Sequence, residues 1–440
     1  MIGAARRKFA RAMWLAHPAR PGPEYAALKQ SQWWSRERVD EKSVAELRKI
    51  VDVAAAVPHY RDRFTAAGVS SRDLRTLGDI RRLPIFERKD FERLGIAGLR
   101  VPGSRGVKAA TSGSLGKRAE FQWSLSQMRW LDAGEARARG WLGSDVGDRS
   151  LEVRCRPVGF PQKVAAALLN AEALHAPTVA DVAAVQNLVR TLEGEPPPTL
   201  VWGVSNALYV VALALLENGT PLKARACWSG GNHLHPHYRA ALEKAFECTV
   251  YERYATMETG LVAHECVEGR MLHVPSEGVL AEIVRADGSP AGPGETGEVL
   301  LTSLRNEATP FIRYRVGDTA VAPMSADCSC GRGLPLFGRV AGRTPDFLQR
   351  ASGSLMSPAE AVEMVRPGHG SIVDFQIRQA VDRSVVVSVV QNDDNDAGAD
   401  RARIARALTD VVEASASVER VDRIQLTPGG KLRTIIREAA

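Results

Sequence analysis

Residues 199–231, TLVWGVSNALYVVALALLENGTPLKARACWSGG, contain the pattern that decides the fold. A short apolar run (TLVWGV) precedes a longer stretch of helical character (ALYVVALALLENG), and a second apolar run (ARACWSG) follows. Short apolar runs that alternate with helical stretches are typical of βα units, whose successive strands lie parallel. The stretch therefore predicts a parallel sheet flanked by helices.

The same alternation extends over residues 125–230, where SLEVRC predicts a strand and VAAVQNLVRTLEG a helix. After about residue 270, GVLAEIVRADGSPAGPGETGEVLLTSLRN predicts strands joined by a Gly/Pro turn. The predicted fold class is α/β. We expect an N-terminal domain over 1–343, with a β-rich subdomain at about 270–340, and a small, mobile α+β domain over 344–440.

Two local predictions concern the ends of the chain. Residues 24–56 predict helical structure, with Ser43 as a helix N-cap and Glu46 three residues later. The last hundred residues predict the order ββαβ, in which RARIARALTDVVEASA is the helix and VDRIQLTP the final strand.

Composition narrows the class of protein. The chain has 440 residues, of which 45% are hydrophobic, so it can build more than one core. Its net charge of +7 comes from basic residues scattered among acidic ones, which argues against a dedicated nucleic-acid binder. No apolar run reaches the ~18 residues that a membrane span needs. Six cysteines do not form a disulfide framework, so we expect a reducing, cytoplasmic location.

Five segments carry residues suited to nucleotide chemistry. They are Thr111–Lys117 (TSGSLGK), Tyr254–Gly260 (YATMETG), Thr309–Asp318 (TPFIRYRVGD), Gly338–Asp346 (GRVAGRTPD) and Gly429–Lys431 (GGK). Amides of a glycine-rich turn can surround phosphate oxygens, although the first segment lacks Walker A spacing. A carboxylate can accept hydrogen bonds from ribose hydroxyls or bind a hard cation. Taken singly, each segment is also compatible with an ordinary turn or surface loop.

In this order and spacing, the five segments resemble the acyl-adenylate-forming superfamily. Within it they are most similar to the phenylacetate–CoA ligase branch and its capsule-biosynthesis relatives. The resemblance covers roughly residues 107–433. It implies activation of a small carboxylic acid by ATP to an acyl-AMP with release of pyrophosphate, followed by thioester formation on coenzyme A.

The resemblance also implies roles for individual residues. The triphosphate would be bound by Thr111, Ser112, Gly113, Ser114 and Lys117. The adenine and ribose would contact Gly230, Gly231, Tyr254, Asp318 and Arg343. The reacting groups would be met by Thr256 at the α-phosphate, Glu258 on Mg²⁺, and Lys431 from the mobile domain. The acyl pocket would be near Trp202, Val204, Ser205, Trp228 and His233, and two tryptophans favour a flat or compact acid, with an aromatic acid as one option.

The chain departs from the family pattern at three places. Gly230-Gly231-Asn232 stands where the family has Ser-Gly-Glu, and Ala255 stands where it has Gly. Pro345 aligns with the acidic hinge residue, and proline fixes φ near −65°. Pro345 therefore puts the domain rotation in doubt, and Asp346 is the alternative hinge residue.

A second group of residues suits a metal. Cys266, His273, Cys328 and Cys330 offer the thiolates and imidazole of a closed zinc site, with His264 as the alternative imidazole. Such a zinc would be structural. The histidines of GNHLHPHY could also lie on one strand face, but Pro236 favours a polar loop.

Two further functions remain open from the sequence. The acyl group could pass to a carrier protein or another acceptor instead of coenzyme A, because no clear coenzyme A signature is present. The chain could instead be a nucleotide-binding protein without catalysis, although Glu258, Asp318 and Lys431 are all present.

Overall fold

A mixed eight-stranded sheet forms the centre of the computed structural model, which describes residues 2–17, 21–111, 119–176, 189–190, 196–343, 346–356, 358–365, 372–391, 397–427 and 432–438. Its parallel strands are β3 (Ser150–Arg154), β4 (Ala171–His175), β5 (Leu200–Val204), β6 (Ala226–Gly230) and β7 (Thr249–Thr256). Its antiparallel strands are β8 (Gly260–Glu265), β9 (Leu272–His273) and β13 (Leu336–Phe337). The strand order is β13-β9-β8-β7-β6-β5-β3-β4.

Helices cover both faces of this sheet. They are α6 (Leu125–Trp141), α7 (Phe160–Leu168), α8 (Ser205–Glu217) and α9 (Pro236–Phe246). α8 and α9 share a core with the sheet, while Ala138 of α6 packs with Trp228 on another face. The β5–α8–β6 unit and the α/β fold class are therefore confirmed. The predicted helix at 182–194 lies outside the described residues except for Val189 and Arg190.

The N-terminal part is helical and packs on the β-rich region. Its helices are α1 (Ile2–Leu15), α2 (Gly22–Ser31), α3 (Arg36–Ala54), α4 (Pro58–Ala66) and α5 (Arg88–Leu99), followed by the hairpin of β1 (Val107–Ala110) and β2 (Glu120–Trp123). Two short 3₁₀ turns, Ser71–Asp73 and Leu77–Arg82, precede α5. None of the helices in the described part of the chain combines the length and apolarity that a membrane crossing needs.

The predicted cap at Ser43 is wrong. α3 begins at Arg36, and Ser35 is its N-cap, accepting a hydrogen bond from the Arg38 amide. Ser43 lies inside the helix and is fully buried, and its hydroxyl is 2.8 Å from the Ser276 carbonyl oxygen. A serine at a helix interior can satisfy its hydroxyl by tertiary contact, and local sequence does not reveal that contact.

The predicted β-rich region is an antiparallel sheet in the order β10-β11-β12-β14. Its strands are β10 (Val279–Val284), β11 (Thr296–Ser303), β12 (Tyr314–Val321) and β14 (Arg339–Arg343). In the β12–β14 pair, Asp318 lies opposite Arg343. The register therefore brings together two residues from different predicted segments.

The C-terminal region forms its own sheet, in the order β19-β18-β17-β20. Its elements are β15 (Leu348–Gln349), β16 (Leu355–Met356), α10 (Pro358–Val365), β17 (Ile372–Gln379), β18 (Val385–Gln391), α11 (Ala397–Val412), β19 (Ala416–Arg420) and β20 (Ile435–Arg437). The final strand predicted at VDRIQLTP is wrong: residues 421–427 are not a strand, and β19 before them pairs in parallel with β18. The His235 imidazole lies 3.3 Å from the Thr434 hydroxyl, joining this region to the start of α9.

Candidate active site

A cavity of about 580 Å³ opens at the carboxyl ends of β5, β6 and β7. Ligands of open α/β sheets usually bind at this edge. Eleven of the predicted site residues line the cavity: Thr111, Trp202, Val204, Gly230, Gly231, His233, Tyr254, Thr256, Glu258, Asp318 and Arg343. Segments far apart in the chain thus meet at one site.

A hydrogen-bonded group of Tyr254, Asp318 and Arg343 forms one part of the cavity wall. The Tyr254 hydroxyl donates to Asp318 Oδ2 at 2.6 Å, and Arg343 Nε donates to Oδ1 at 3.0 Å. Burial, and then the Asp318 carboxylate, raise the pKa of the Tyr254 phenol well above its usual value, so the hydroxyl keeps its proton and is the donor. Both carboxylate oxygens are held in place, and each retains capacity for another hydrogen bond.

The turn between β7 and β8 carries Thr256 and Glu258. The Thr256 hydroxyl lies 2.9 Å from the Thr259 hydroxyl and accepts from the Thr259 amide at 3.3 Å. Glu258 is buried, and burial raises the pKa of its carboxyl group. A divalent cation beside this carboxyl would favour its ionised form, so the donor set suits Mg²⁺.

Gly230 and Ser205 also make contacts within the protein that the sequence did not predict. A Cβ at Gly230 would lie 2.4 Å from Cγ of Arg253, so the side chain of Arg253 crosses this glycine. Ser205 is fully buried and does not line the cavity; its hydroxyl lies 2.9 Å from the Asn232 carbonyl oxygen. Ser205 therefore supports the Gly230–Asn232 turn, and its predicted contact with the substrate stays a prediction. Asn232, where the family has Glu, donates to Asn206 Oδ1 at 2.7 Å.

Several predicted residues lie outside the described ranges, namely Ser112, Gly113, Ser114, Lys117, Pro345 and Lys431. Asp346, next to Pro345, and Arg433, two residues after Lys431, form an ion pair. Arg433 donates through Nε to Asp346 Oδ1 at 3.0 Å, and both residues line the cavity. This contact joins the segment after β14 to the segment after Lys431.

The predicted metal ligands converge at a separate cluster. One ligand atom from each of Cys266, His273, Cys328 and Cys330 lies within 4.8 Å of the other three. Cys266 Sγ is 3.5 Å from Cys328 Sγ, and Cys330 Sγ is 3.4 Å from His273 Nε2. Tetrahedral zinc with bonds of about 2.0–2.3 Å sets its ligand atoms at about 3.3–3.8 Å from one another, so these separations fit zinc.

His264, the alternative imidazole, is not in this cluster. It pairs with His273 across β8 and β9, but its ring lies 4.1 Å from the Trp141 ring and is fully buried. The backbone of Gly269 packs closely on the cysteines: its amide donates to Cys266 Sγ, and a Cβ there would lie 2.3 Å from Cys328 Sγ.

Sequence reasoning missed a polar wall of the cavity. The residues concerned are Asp132, Glu135, Glu152, Arg154 and Arg253. One signal was available, since Glu152 and Arg154 are charged residues within a strand that is otherwise apolar. Alternation in a central strand predicts that such residues share one face, where a ligand or an ion pair must accompany them.

Comparisons with known proteins agree with this architecture, although no protein-family model matches the chain. The chain is 24% identical to phenylacetate-coenzyme A ligase of Thermus thermophilus over 436 residues, covering 91% of this chain and 97% of the relative. It is 24% identical to protein CapK of Staphylococcus aureus over 383 residues, covering 82% and 81%. A crystal structure of 2-hydroxyisobutyryl-CoA ligase in the postadenylation state has a similar fold, with a TM-score of 0.76, 17% identity, and coverage of 93% and 92%.

The fold and the relatives together confirm the predicted resemblance to the acyl-adenylate-forming superfamily. The curated relatives confirm the likeness to its phenylacetate–CoA ligase branch, and with it the prediction of an acid–thiol ligase.

Proposed function

We propose that the chain activates a small carboxylic acid with ATP, forming an acyl-AMP and releasing pyrophosphate, and then forms a thioester with coenzyme A. The observation that carries this proposal is the Tyr254–Asp318–Arg343 group, with Glu258 beside it, on the wall of one 580 Å³ cavity. The similarity to phenylacetate-coenzyme A ligases supports the thioester step.

The described residues fit a nucleoside in one orientation. The Tyr254 ring stacks on Phe337 with centroids 5.6 Å apart and planes 13° apart, so an adenine would stack on the opposite face. Asp318, fixed by its two donors, would accept hydrogen bonds from the ribose hydroxyls. Thr256 would then donate to the α-phosphate, and Arg343 would contact the ribose or phosphate edge.

The chemistry needs positioning and charge stabilisation. In the first step a carboxylate oxygen attacks the α-phosphorus and pyrophosphate leaves; in the second, a thiolate attacks the acyl carbon and AMP leaves. Glu258 would hold Mg²⁺, which when bound neutralises charge on phosphate oxygens. Residues 111–117 and Lys431 complete this proposal by resemblance, with Lys431 supplying charge at the attacked phosphorus.

The domain organisation belongs to the same proposal. A mobile domain over 344–440 would bring Lys431 to the cavity for adenylation and withdraw it for thioester formation. The 3.3 Å contact between the His235 imidazole and the Thr434 hydroxyl crosses the proposed boundary and fits a domain seated on the cavity. The cytoplasmic location also stays a prediction.

We further propose that Cys266, His273, Cys328 and Cys330 hold a structural zinc ion. The cluster joins the β8–β9 hairpin to the segment that precedes β13. Zinc bound there would fix the edge of the central sheet on which Phe337 supports Tyr254.

Measurement of pyrophosphate release with MgATP and a panel of carboxylic acids, with and without coenzyme A, tests the proposed function. We expect acid-dependent pyrophosphate release, and a thioester only when coenzyme A is present. Release of ADP and phosphate would contradict adenylation. Adenylate formation without thioester would favour a carrier protein or other acceptor. ATP binding without turnover of any acid would favour the alternative that the chain is a nucleotide-binding protein without catalysis.

A further inference from the structure

One end of the cavity is formed by residues that face α6 from the central sheet. Glu152, Trp202 and Trp228 are direct neighbours across β3, β5 and β6, so their side chains share one face. β3 lies three strands from β7, which is roughly 14 Å at a strand spacing of about 4.8 Å. This end therefore extends well beyond the nucleotide-binding residues and is where the acyl group of the proposed reaction would lie.

Arg253 reaches from β7 into this end. Its side chain crosses Gly230, and its guanidinium lies 4.4 Å from the Trp228 ring centroid and 5.6 Å from that of Trp202. Trp228 is fully buried beneath it, so only Trp202 of the two tryptophans lines the cavity. The expected pair of aromatic walls is thus reduced to one, and a cation covers the other.

The rest of this end, on α6 and β3, is strongly polar. Arg253 donates to Glu135 of α6 at 2.9 Å, and Arg154 donates to Glu152 at 2.8 Å. Asp132, one turn before Glu135, pairs with His17 at 3.1 Å. The wall therefore offers both donors and acceptors, and its charges largely cancel.

Such a wall discriminates between acyl groups. A hydrocarbon or an unsubstituted ring would strip water from these ion pairs without replacing its hydrogen bonds, which is costly. A second carboxylate or an ammonium group would be attracted by one member of each pair and repelled by the other, so neither gains a net attraction that offsets its lost hydration. A neutral group that both donates and accepts, such as a hydroxyl, can bond to either member of each pair.

Three nitrogen donors at this end lack an acceptor among the described residues; one is Trp228 Nε1, and the other two belong to residues that line the cavity. Arg253 Nη1 and Trp202 Nε1 are buried and have no hydrogen-bond partner in the described part of the chain. Buried donors in native proteins are nearly always paired with protein, water or a ligand. Both atoms have almost no accessible surface, so a substrate oxygen would supply their acceptor once the Arg253 side chain and the Trp202 ring turn towards it.

We propose that the acid activated at this site carries one or more hydroxyl groups at the end remote from its reacting carboxylate, and that Arg253 and Trp202 determine this specificity. The proposal rests on the proposed function and adds the substrate class to it.

Matched acids test this proposal on the full-length protein. Three skeletons are used, butanoate, hexanoate and phenylacetate, each with hydrogen, hydroxyl, carboxylate or ammonium at the far end. The measurement is kcat/KM for pyrophosphate release. We expect the best hydroxyl-bearing acid to exceed its unsubstituted parent by about tenfold or more, since a site built for a hydroxyl rejects the analogue that lacks it.

Two variants test whether the preference for hydroxy acids depends on Trp202 Nε1 and on the Arg253 guanidinium. Trp202→Phe removes one N–H and keeps most of the ring, and Arg253→Met removes the guanidinium; both should lower the hydroxyl-to-parent ratio at least threefold. Trp123→Phe is the matched control, because Trp123 lines the same cavity but its indole already donates to the Met257 carbonyl oxygen at 3.0 Å. Its ratio should stay that of the wild type. Trp202→Phe decides the matter if Arg253→Met does not fold.

Two results would overturn the proposal in different ways. The substrate class alone would be overturned if the enzyme used the parent acids, dicarboxylates or amino acids as well as the hydroxy acids. It would also be overturned if Trp202→Phe left the hydroxyl-to-parent ratio of kcat/KM unchanged. Protein that binds ATP but releases no pyrophosphate with any acid would overturn the proposed function, and this inference with it.

Discussion

Replacing Asp318 with asparagine is the sharpest test of the nucleotide site. The side chain of Asp318 is 11% exposed and holds Tyr254 and Arg343 through separate oxygens. Asparagine keeps the shape but loses the charge and one acceptor, so the ribose hydroxyls would lose charge-assisted bonds worth roughly 1.5–3 kcal/mol each. Because one acceptor oxygen remains, we expect a net loss of about 2–3 kcal/mol, or roughly 30- to 160-fold weaker ATP binding.

Calorimetric titration of ATP measures this change, and thermal unfolding of the same samples shows whether the variant is folded. Tyr254→Phe is the control, since it keeps the stacking ring and the Asp318 charge but removes the 2.6 Å hydrogen bond. It should weaken ATP binding by about tenfold or less. Folded Asp318→Asn protein that binds ATP within twofold of the wild type would refute the assignment of Asp318.

Three further predictions follow from other parts of the molecule. Elemental analysis should find about one zinc per chain, and replacing Cys328 and Cys330 with serine should remove it and lower the unfolding temperature; metal-free protein of unchanged stability would contradict the site. Lys431→Ala should slow adenylate formation ~10²–10³-fold in a pyrophosphate assay but spare transfer from pre-formed acyl-AMP, and equal loss of both steps would argue against a moving domain. In the folded protein, burial and then the Glu265 carboxylate raise the pKa of Glu252 from 4.5 to about 7. Ionising Glu252 is therefore harder in the folded than in the unfolded chain, so the free energy of unfolding falls as the pH rises from about 4.5 to about 7. Glu252→Gln should therefore raise the unfolding temperature more at pH 8 than at pH 5, and an equal effect at both pH values would contradict the shift.

Local patterns were sufficient to predict much of the fold. The strand–helix–strand at 199–231 follows from apolar run lengths and turn residues, and β5, α8 and β6 appear there. The β19 strand was missed because its sequence, ASVER, is weakly apolar; parallel pairing with β18 decides its structure, and that pairing is a long-range contact.

The sequence predicted which residues lie at the candidate site better than it predicted the contacts between them. Tyr254, Asp318 and Arg343 belong to segments with recognisable spacing, whereas their mutual hydrogen bonds depend on strand register. His264 and His273 are opposite each other in β8 and β9, so spacing in the sequence left both as candidates, and only the structure shows that His273 is the one near the three cysteines.

The packing of the Arg253 side chain over Gly230 limits which substitutions can change the acid specificity of this protein. Most of the polar wall comes from α6 and β3, whereas the residues proposed to bind the nucleotide come from β7, β12 and β14. Under the proposed function, mutations in the wall can therefore change the acid preference without touching the residues that would bind ATP. Position 253 is the exception, because it adjoins Tyr254 in the same strand and its side chain occupies the space above position 230. A Cβ at 230 would lie 2.4 Å from Arg253 Cγ and 2.6 Å from the Arg253 carbonyl oxygen, so a smaller residue at 253 would remove only one of the two clashes and glycine is favoured at 230 whatever residue 253 is.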